Sequence, residues 1–239
     1  MGDPMRGGRS FVVVSTVAAV VAGTATTAGA AARNAVAVWQ MNESAGARTM
    51  VDSGGRGLHG SIGGEIATGV RTGGATGYHF SRLAPDTPPP HPRHLVTVPD
   101  NAALDPGTRD YAVTLRLRTT GKFGNLVQKG QATVAGGNFK LQIPSGKVQC
   151  LFRGSSGSVI VSAPRAINDG RWHTVRCERT ASGLTLAVDG RTVARRAGRT
   201  GAISNSWPVS IGGKTSCDQV DVGCDYYFGD LDYVAIETG

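Results

Sequence analysis

Beyond residue 35, apolar and polar positions alternate with a period of two in run after run, the pattern of strands that bury one face. Tyr111–Arg118 is the clearest case. Val113, Leu115 and Leu117 share one face, and Thr114, Arg116 and Arg118 share the other. Asp169–Gly190 predicts a hairpin. His173, Val175 and Cys177 alternate with Trp172, Thr174, Arg176 and Glu178, and Leu184, Leu186 and Val188 then repeat the period. Gly183 marks the turn between these strands, and Asp189-Gly190 marks the next one, because both residues tolerate positive φ. Shorter runs predict strands over 36–41, 59–62, 78–80, 95–98, 125–129, 139–143, 147–153, 159–162, 191–196, 208–211 and 228–236. The prolines 85, 88, 89, 90 and 92 predict a surface loop that cannot pair its backbone. No long stretch has helical spacing. Roughly a dozen short strands separated by turn signals predict an all-β fold, an antiparallel β-sandwich of the jelly-roll kind.

The hairpin also carries a resemblance. A glycine, the pair Trp172-His173, a strand, a short turn and a strand closed by Asp-Gly follow in that order. This is similar to the central hairpin of laminin-G-like domains of the concanavalin A-like lectin/glucanase superfamily, in their secreted bacterial type. An early strand with Trp39 and Glu43 soon after it resembles the family's start. Asp52-Ser53-Gly54-Gly55-Arg56-Gly57 resembles its Asp-x-Ser-Gly-Asn-Gly loop, departing at Gly55 and Arg56. Leu95–Leu104 and Phe228–Val234 resemble its later strands. The resemblance implies a concanavalin A-like sandwich over nearly the whole chain beyond the leader. It implies less about function, since the superfamily hosts lectins, hydrolases, lyases and adhesion modules.

The first residues change the picture of where the protein works. Arg6 and Arg9 precede the apolar run Phe11–Val21, and Ala28-Gly29-Ala30 offers small residues for cleavage. Residues 1–32 are therefore expected to be a signal peptide, starting at Met1 or Met5 and cut after Ala30 or Ala32. The apolar run falls short of the ~20 residues that a spanning helix needs, so no membrane span is expected. Residues 33–239 suit a single secreted domain. An exported chain with four cysteines favours disulfides. Three connectivities are open. Cys150–Cys177 and Cys217–Cys224 are preferred, because Cys150 and Cys177 lie on the apolar faces of strands expected to be neighbours, and Cys217 and Cys224 bracket a short polar loop. A four-cysteine metal site is disfavoured, since no Cys-x-x-Cys pair is present.

Candidate chemistry is sparse. Paired carboxylates are needed to cleave a glycosidic bond, yet the four glutamates, Glu43, Glu65, Glu178 and Glu237, are scattered. Asp230 and Asp232 are the nearest carboxylate pair, beside an expected bulge near Gly229. No Gly-x-Ser-x-Gly elbow is present, and the chain is not expected to be an enzyme. His173 is expected to pack in the core. Many laminin-G-like domains bind Ca²⁺, and the resemblance points to Asp52 and Asp232 as ligands of a structural ion, against the plainer roles of an Asx-turn and a strand-edge cap. A sugar site wants exposed aromatics, which directs attention to Trp207, Tyr226 and Tyr227. A net charge of +8 and the arginines around Arg195 and Arg196 offer a face for acidic polysaccharide. Nucleic acid is not an expected partner, as no reader motif is present. The function expected is a non-catalytic module that binds carbohydrate, a cell surface or matrix. A structural or protein-interaction domain is the first alternative, and a divergent glycoside hydrolase or lyase the second.

Overall fold

A computed structural model describes residues 1–2, 33–72, 74–84, 87, 91–216 and 225–239. The leader, much of the proline run, and the Cys217–Cys224 pairing lie outside the described residues. The described residues form sixteen strands. The first six are β1 (Asn34–Trp39), β2 (Thr49–Met50), β3 (Gly60–Ile62), β4 (Ala67–Thr72), β5 (Ala75–Phe80) and β6 (Val96–Val98). The middle of the chain gives β7 (Tyr111–Arg118), β8 (Asn125–Lys129), β9 (Asn138–Gln142), β10 (Lys147–Gly154) and β11 (Gly157–Ala166). The last five are β12 (Trp172–Thr180), β13 (Gly183–Val188), β14 (Arg191–Ala197), β15 (Val209–Ile211) and β16 (Gly229–Thr238).

All pairings are antiparallel. The first sheet runs β14-β13-β12-β7-β16-β5-β4, with β1 also on β16. The second runs β11-β10-β9-β8-β15-β6-β3-β2. The all-β sandwich expected from the sequence is what the chain forms. Its hairpin turn at Asp189-Gly190 has both residues at positive φ, 51° and 74°, as the Asp-Gly signal predicts.

The two sheets bury their apolar rows against each other. Val113, Leu115 and Leu117 of β7 are fully buried, as are Phe139 and Phe152 of the second sheet. Tyr111 crosses the gap, its ring 5.3 Å from that of Phe139 and 6.0 Å from that of Phe152. The Cys150–Cys177 bond forms as preferred, but its setting corrects the expectation of neighbouring strands. Cys150 is on β10 of the second sheet and Cys177 on β12 of the first, so the bond staples the two layers through the core.

His173 also departs from expectation. It is half-buried at the end of β12, with Nδ1 2.8 Å from Asp189 and Nε2 3.1 Å from Asp169. Burial would lower its pKa, but the two carboxylates outweigh it and raise the pKa above the ordinary value. The ring therefore ties the start of the strand to the loop before it and to the turn between β13 and β14. The irregularity in β16 falls between Leu231 and Tyr233, at Asp232 rather than at Gly229.

The disulfide closes a loop with a sequence separation of 27. Chain entropy then makes its stabilisation about 3.5 kcal/mol. The Cys150→Ala/Cys177→Ala double variant should unfold roughly 10 °C below the native protein in a thermal melt. An unchanged melting temperature would show that the staple contributes nothing beyond the packing around it.

Candidate ligand-binding site

One continuous row crosses the outward face of the second sheet, polar over its first six strands and apolar over the last two. Thr49, Ser61, Thr97, Ser210, Gln128, Lys140, Leu151 and Ile160 stand side by side across its eight strands. Ser210 and Gln128, in the middle, are buried although they face away from the core. Their hydrogen bonds account for it. Ser210 Oγ donates to the Gly213 carbonyl at 2.8 Å, Gln128 Nε2 donates to the Gly130 carbonyl at 2.7 Å, and Asn125 Nδ2 donates to Gln128 Oε1 at 3.1 Å.

A hollow of about 90 Å³ opens beside this floor. Gln128, Asn138, Lys140, Leu151 and Arg153 line it from the sheet, with Gln131 and Lys214 from the loops. The loop that carries Gln131 can lie this close only because residue 136 is glycine, since a Cβ there would sit 1.8 Å from the Ser204 carbonyl oxygen. Arg153 Nη2 donates to the Gln131 carbonyl at 2.8 Å, and Lys214 Nζ is 3.0 Å from Asp225. Gln131 Oε1 and Asn138 Oδ1 are buried with no hydrogen-bond partner, although both residues line the hollow. Unsatisfied amide oxygens are costly to bury, so these two are open acceptors beside the donors Lys140, Arg153 and Lys214. The volume holds about three waters, or one polar substituent of a larger ligand.

A second hollow, of about 340 Å³, lies along Trp207, with Ser206, Pro208, Thr215 and Ser216. Lys214 of the first and Thr215 of the second are consecutive, so the loop after β15 borders both. Trp207 is half-buried, and its backbone N–H donates to Asn205 Oδ1 at 3.0 Å. An aromatic ring among hydroxyls beside an amide-rich hollow suits a ligand with an apolar face and many hydroxyl groups.

The other sequence candidates fall elsewhere. Tyr227 is core, 1% exposed, with its hydroxyl 2.9 and 3.0 Å from the carbonyls of Arg118 and Asp230. It cannot meet a ligand, which corrects the expectation. Tyr226 packs its ring 5.8 Å from that of His91 and 5.6 Å from that of His94, not against Trp207. Arg195 and Arg196 are exposed on β14, an edge strand of the first sheet. Their register partners, Thr185 and Leu184, face opposite sides, so the two arginines do too. Trp172 is half-buried on the outward face of the first sheet, stacked by Arg116 at 4.6 Å and Arg118 at 5.6 Å. Sequence reasoning missed the Gln131–Asn138 hollow. Its signal was an excess of Gln and Asn on β8, β9 and the loop between them.

Asp52 and Asp232 do not fit a calcium site. Asp52 Oδ1 accepts the N–H groups of Val38 and Gly54, and Oδ2 those of Arg56 and Leu58, at 2.8–3.2 Å. A carboxylate ringed by four donors has no lone pair left for a cation. Asp232 is paired with Arg116 instead. Among the described residues, no group of three or more His, Cys, Asp or Glu is placed to hold a metal. The expected structural ion therefore has no donor set here. Asp230 and Asp232 are each tied to an arginine of β7. Asp230 is held by Arg118 at 2.7 Å and His79 at 2.8 Å, and burial raises the pKa of Asp232 despite Arg116.

The family model of the laminin G domain matches residues 117–237, just over half of the chain. The chain belongs to the laminin G domain family. Mouse laminin subunit alpha-1 is 32% identical over 110 residues, 44% of this chain and 4% of that protein. Human neurexin-3-beta is 33% identical over 113 residues, 46% of this chain and 18% of that protein. The chain thus spans less than a fifth of the length of either relative. Two solved structures share the fold. The binding domain of Paraclostridial Mosquitocidal Protein 1 superposes with a TM-score of 0.60 at 12% identity, over 85% of this chain and 48% of that one. Domain 4 of AbnA, an extracellular arabinanase from Geobacillus stearothermophilus in complex with arabinotriose, gives 0.56 at 14% identity, over 87% and 93%.

In this laminin G domain, Asp52 is a brace. Burial pushes its pKa up, but the four backbone N–H groups outweigh burial and hold it below the ordinary carboxylate value. A depressed folded pKa adds stability above the unfolded value, and that stability is lost as pH falls through the folded one. Asp52→Ala should cost about 3 kcal/mol at neutral pH and flatten the acid limb of the stability curve below pH ~4. Asp52→Asn should cost nearly as much, because its amide N–H₂ would face two N–H donors. Urea melts from pH 3 to 7 check both; a silent asparagine variant would overturn the assignment.

Proposed function

We propose that this laminin G domain is a secreted, non-catalytic module that binds carbohydrate, with the ligand lying across the two neighbouring hollows. The observation that carries this reading is the pair of unpartnered amide oxygens, Gln131 Oε1 and Asn138 Oδ1, beside the Trp207 groove. A sugar hydroxyl donates to such oxygens, while Trp207 offers a face to the C–H side of a neighbouring ring. A hollow of about 90 Å³ is too small for a whole sugar but takes a hydroxyl or hydroxymethyl group. Two adjoining hollows favour a chain of sugars over a single one. The arabinanase domain that shares this fold is a domain seen with a trisaccharide, which supports the same ligand class. Secretion is supported by the leader-like residues 6–30 and by the disulfide, since such bonds persist in oxidising compartments.

The test is a glycan and cell-wall polysaccharide array, followed by titration calorimetry with the selected glycans. Trp207→Ala should weaken binding about tenfold while leaving the melting temperature within a few degrees of native. Lys140→Ala, at the mouth of the amide hollow, should weaken it further. A blank array would overturn the reading in favour of protein interaction. Binding only to polyanions, falling steeply with salt and indifferent to Trp207, would move the site to Arg195 and Arg196.

A further inference from the structure

Lys129 occupies an inward-facing position of β8. Its register partners are Phe139 and Val209, both in apolar rows, so its stem follows the core and the side chain is 1% exposed. At its end the ammonium meets four oxygens. Asp100 Oδ1 and Asp105 Oδ1 are each at 2.8 Å, the Asn205 carbonyl at 2.5 Å and Asn205 Oδ1 at 3.4 Å. Two carboxylates, a backbone carbonyl and an amide oxygen are the donors a hard divalent cation takes. One ammonium against two carboxylates leaves the cage one charge short of neutral.

The segments that converge here also build the candidate ligand site. Lys129 leads into the loop with Gln131. Asn205 accepts the Trp207 N–H, and its Nδ2 donates to the Gly137 carbonyl at 2.9 Å. Asp105 is held independently by Ser204 Oγ at 2.8 Å and by the Asn205 N–H at 3.4 Å, contacts that do not involve Lys129. One positive centre therefore pins the rims of both hollows.

We propose that the Lys129 ammonium is a built-in cation, seated in an oxygen cage that a divalent ion would otherwise fill. It makes this rim independent of metal, because a second cation cannot share the cage with it. Removing the ammonium turns the cage into a calcium site. The inference stands whether or not the ligand is a glycan, and it is read by stability alone.

Thermal unfolding of the native protein should be the same in EDTA and in about 10 mM calcium chloride. Lys129→Ala should melt roughly 10 °C lower in EDTA, since it leaves the buried Asp105 carboxylate facing the exposed Asp100 without the ammonium between them, and a void where the lysine stem packed. Calcium should then raise that melting point by about 5 °C or more. Adding Asp100→Asn to Lys129→Ala should abolish the rise. A native melting point that climbs with calcium, or an alanine variant that ignores it, would overturn the proposal. Should the alanine variant fail to fold in EDTA, refolding in calcium becomes the readout: recovery of the native circular dichroism spectrum supports the cage, and failure in both media sinks it.

Discussion

Two sheets stacked face to face hold together only if the rows that meet are apolar and continuous, and that demand governs this molecule. Each strand contributes alternate residues to the shared core, so the opposite set must point out. The rows led by Val113 and by Phe152 satisfy the inner demand. What is left over, from Thr49 through Gln128 to Ile160, becomes the outer face of the second sheet. The candidate ligand site is the by-product of that alternation, roofed by the loops after β8 and β15. Cys150–Cys177 fixes the same arrangement covalently, since it joins the layers rather than neighbours within one.

Alternation was legible wherever strands were long and regular. Tyr111–Arg118 and Asn125–Lys129 read directly as β7 and β8. β4 did not, because Gly69, at a φ of 68°, breaks the period within Ala67–Thr72 and the register with β5 slips there. β11 runs on to Ala166 through Pro164, which an edge strand tolerates on its unpaired side. Period two also says which face a residue takes but not which sheet it belongs to. That is why the Cys150–Cys177 pairing was readable and its placement across the core was not.

The site was legible only in part. Trp207, flanked by serine and proline, stood out as an aromatic outside the regular strands, and it does line a groove. Tyr227 looked equivalent, yet it is swallowed by the core because its hydroxyl finds two backbone carbonyls at the strand edge. Asp52 offered the composition of a cation ligand, but its oxygens turn toward the loop's own amides, a choice that only folded geometry reveals. Lys129 left a trace that went unread. It sits two residues after Val127 on the core face, where the pattern calls for an apolar side chain.

The arginines of β14 have a consequence apart from any ligand. β14 ends its sheet and packs against β11 of the other, and Arg191, Arg195 and Arg196 stand exposed along it. Like charges on such an edge repel a second copy that would otherwise dock strand to strand. Their charge therefore guards the edge against a neighbour's strand, whatever else the arginines meet.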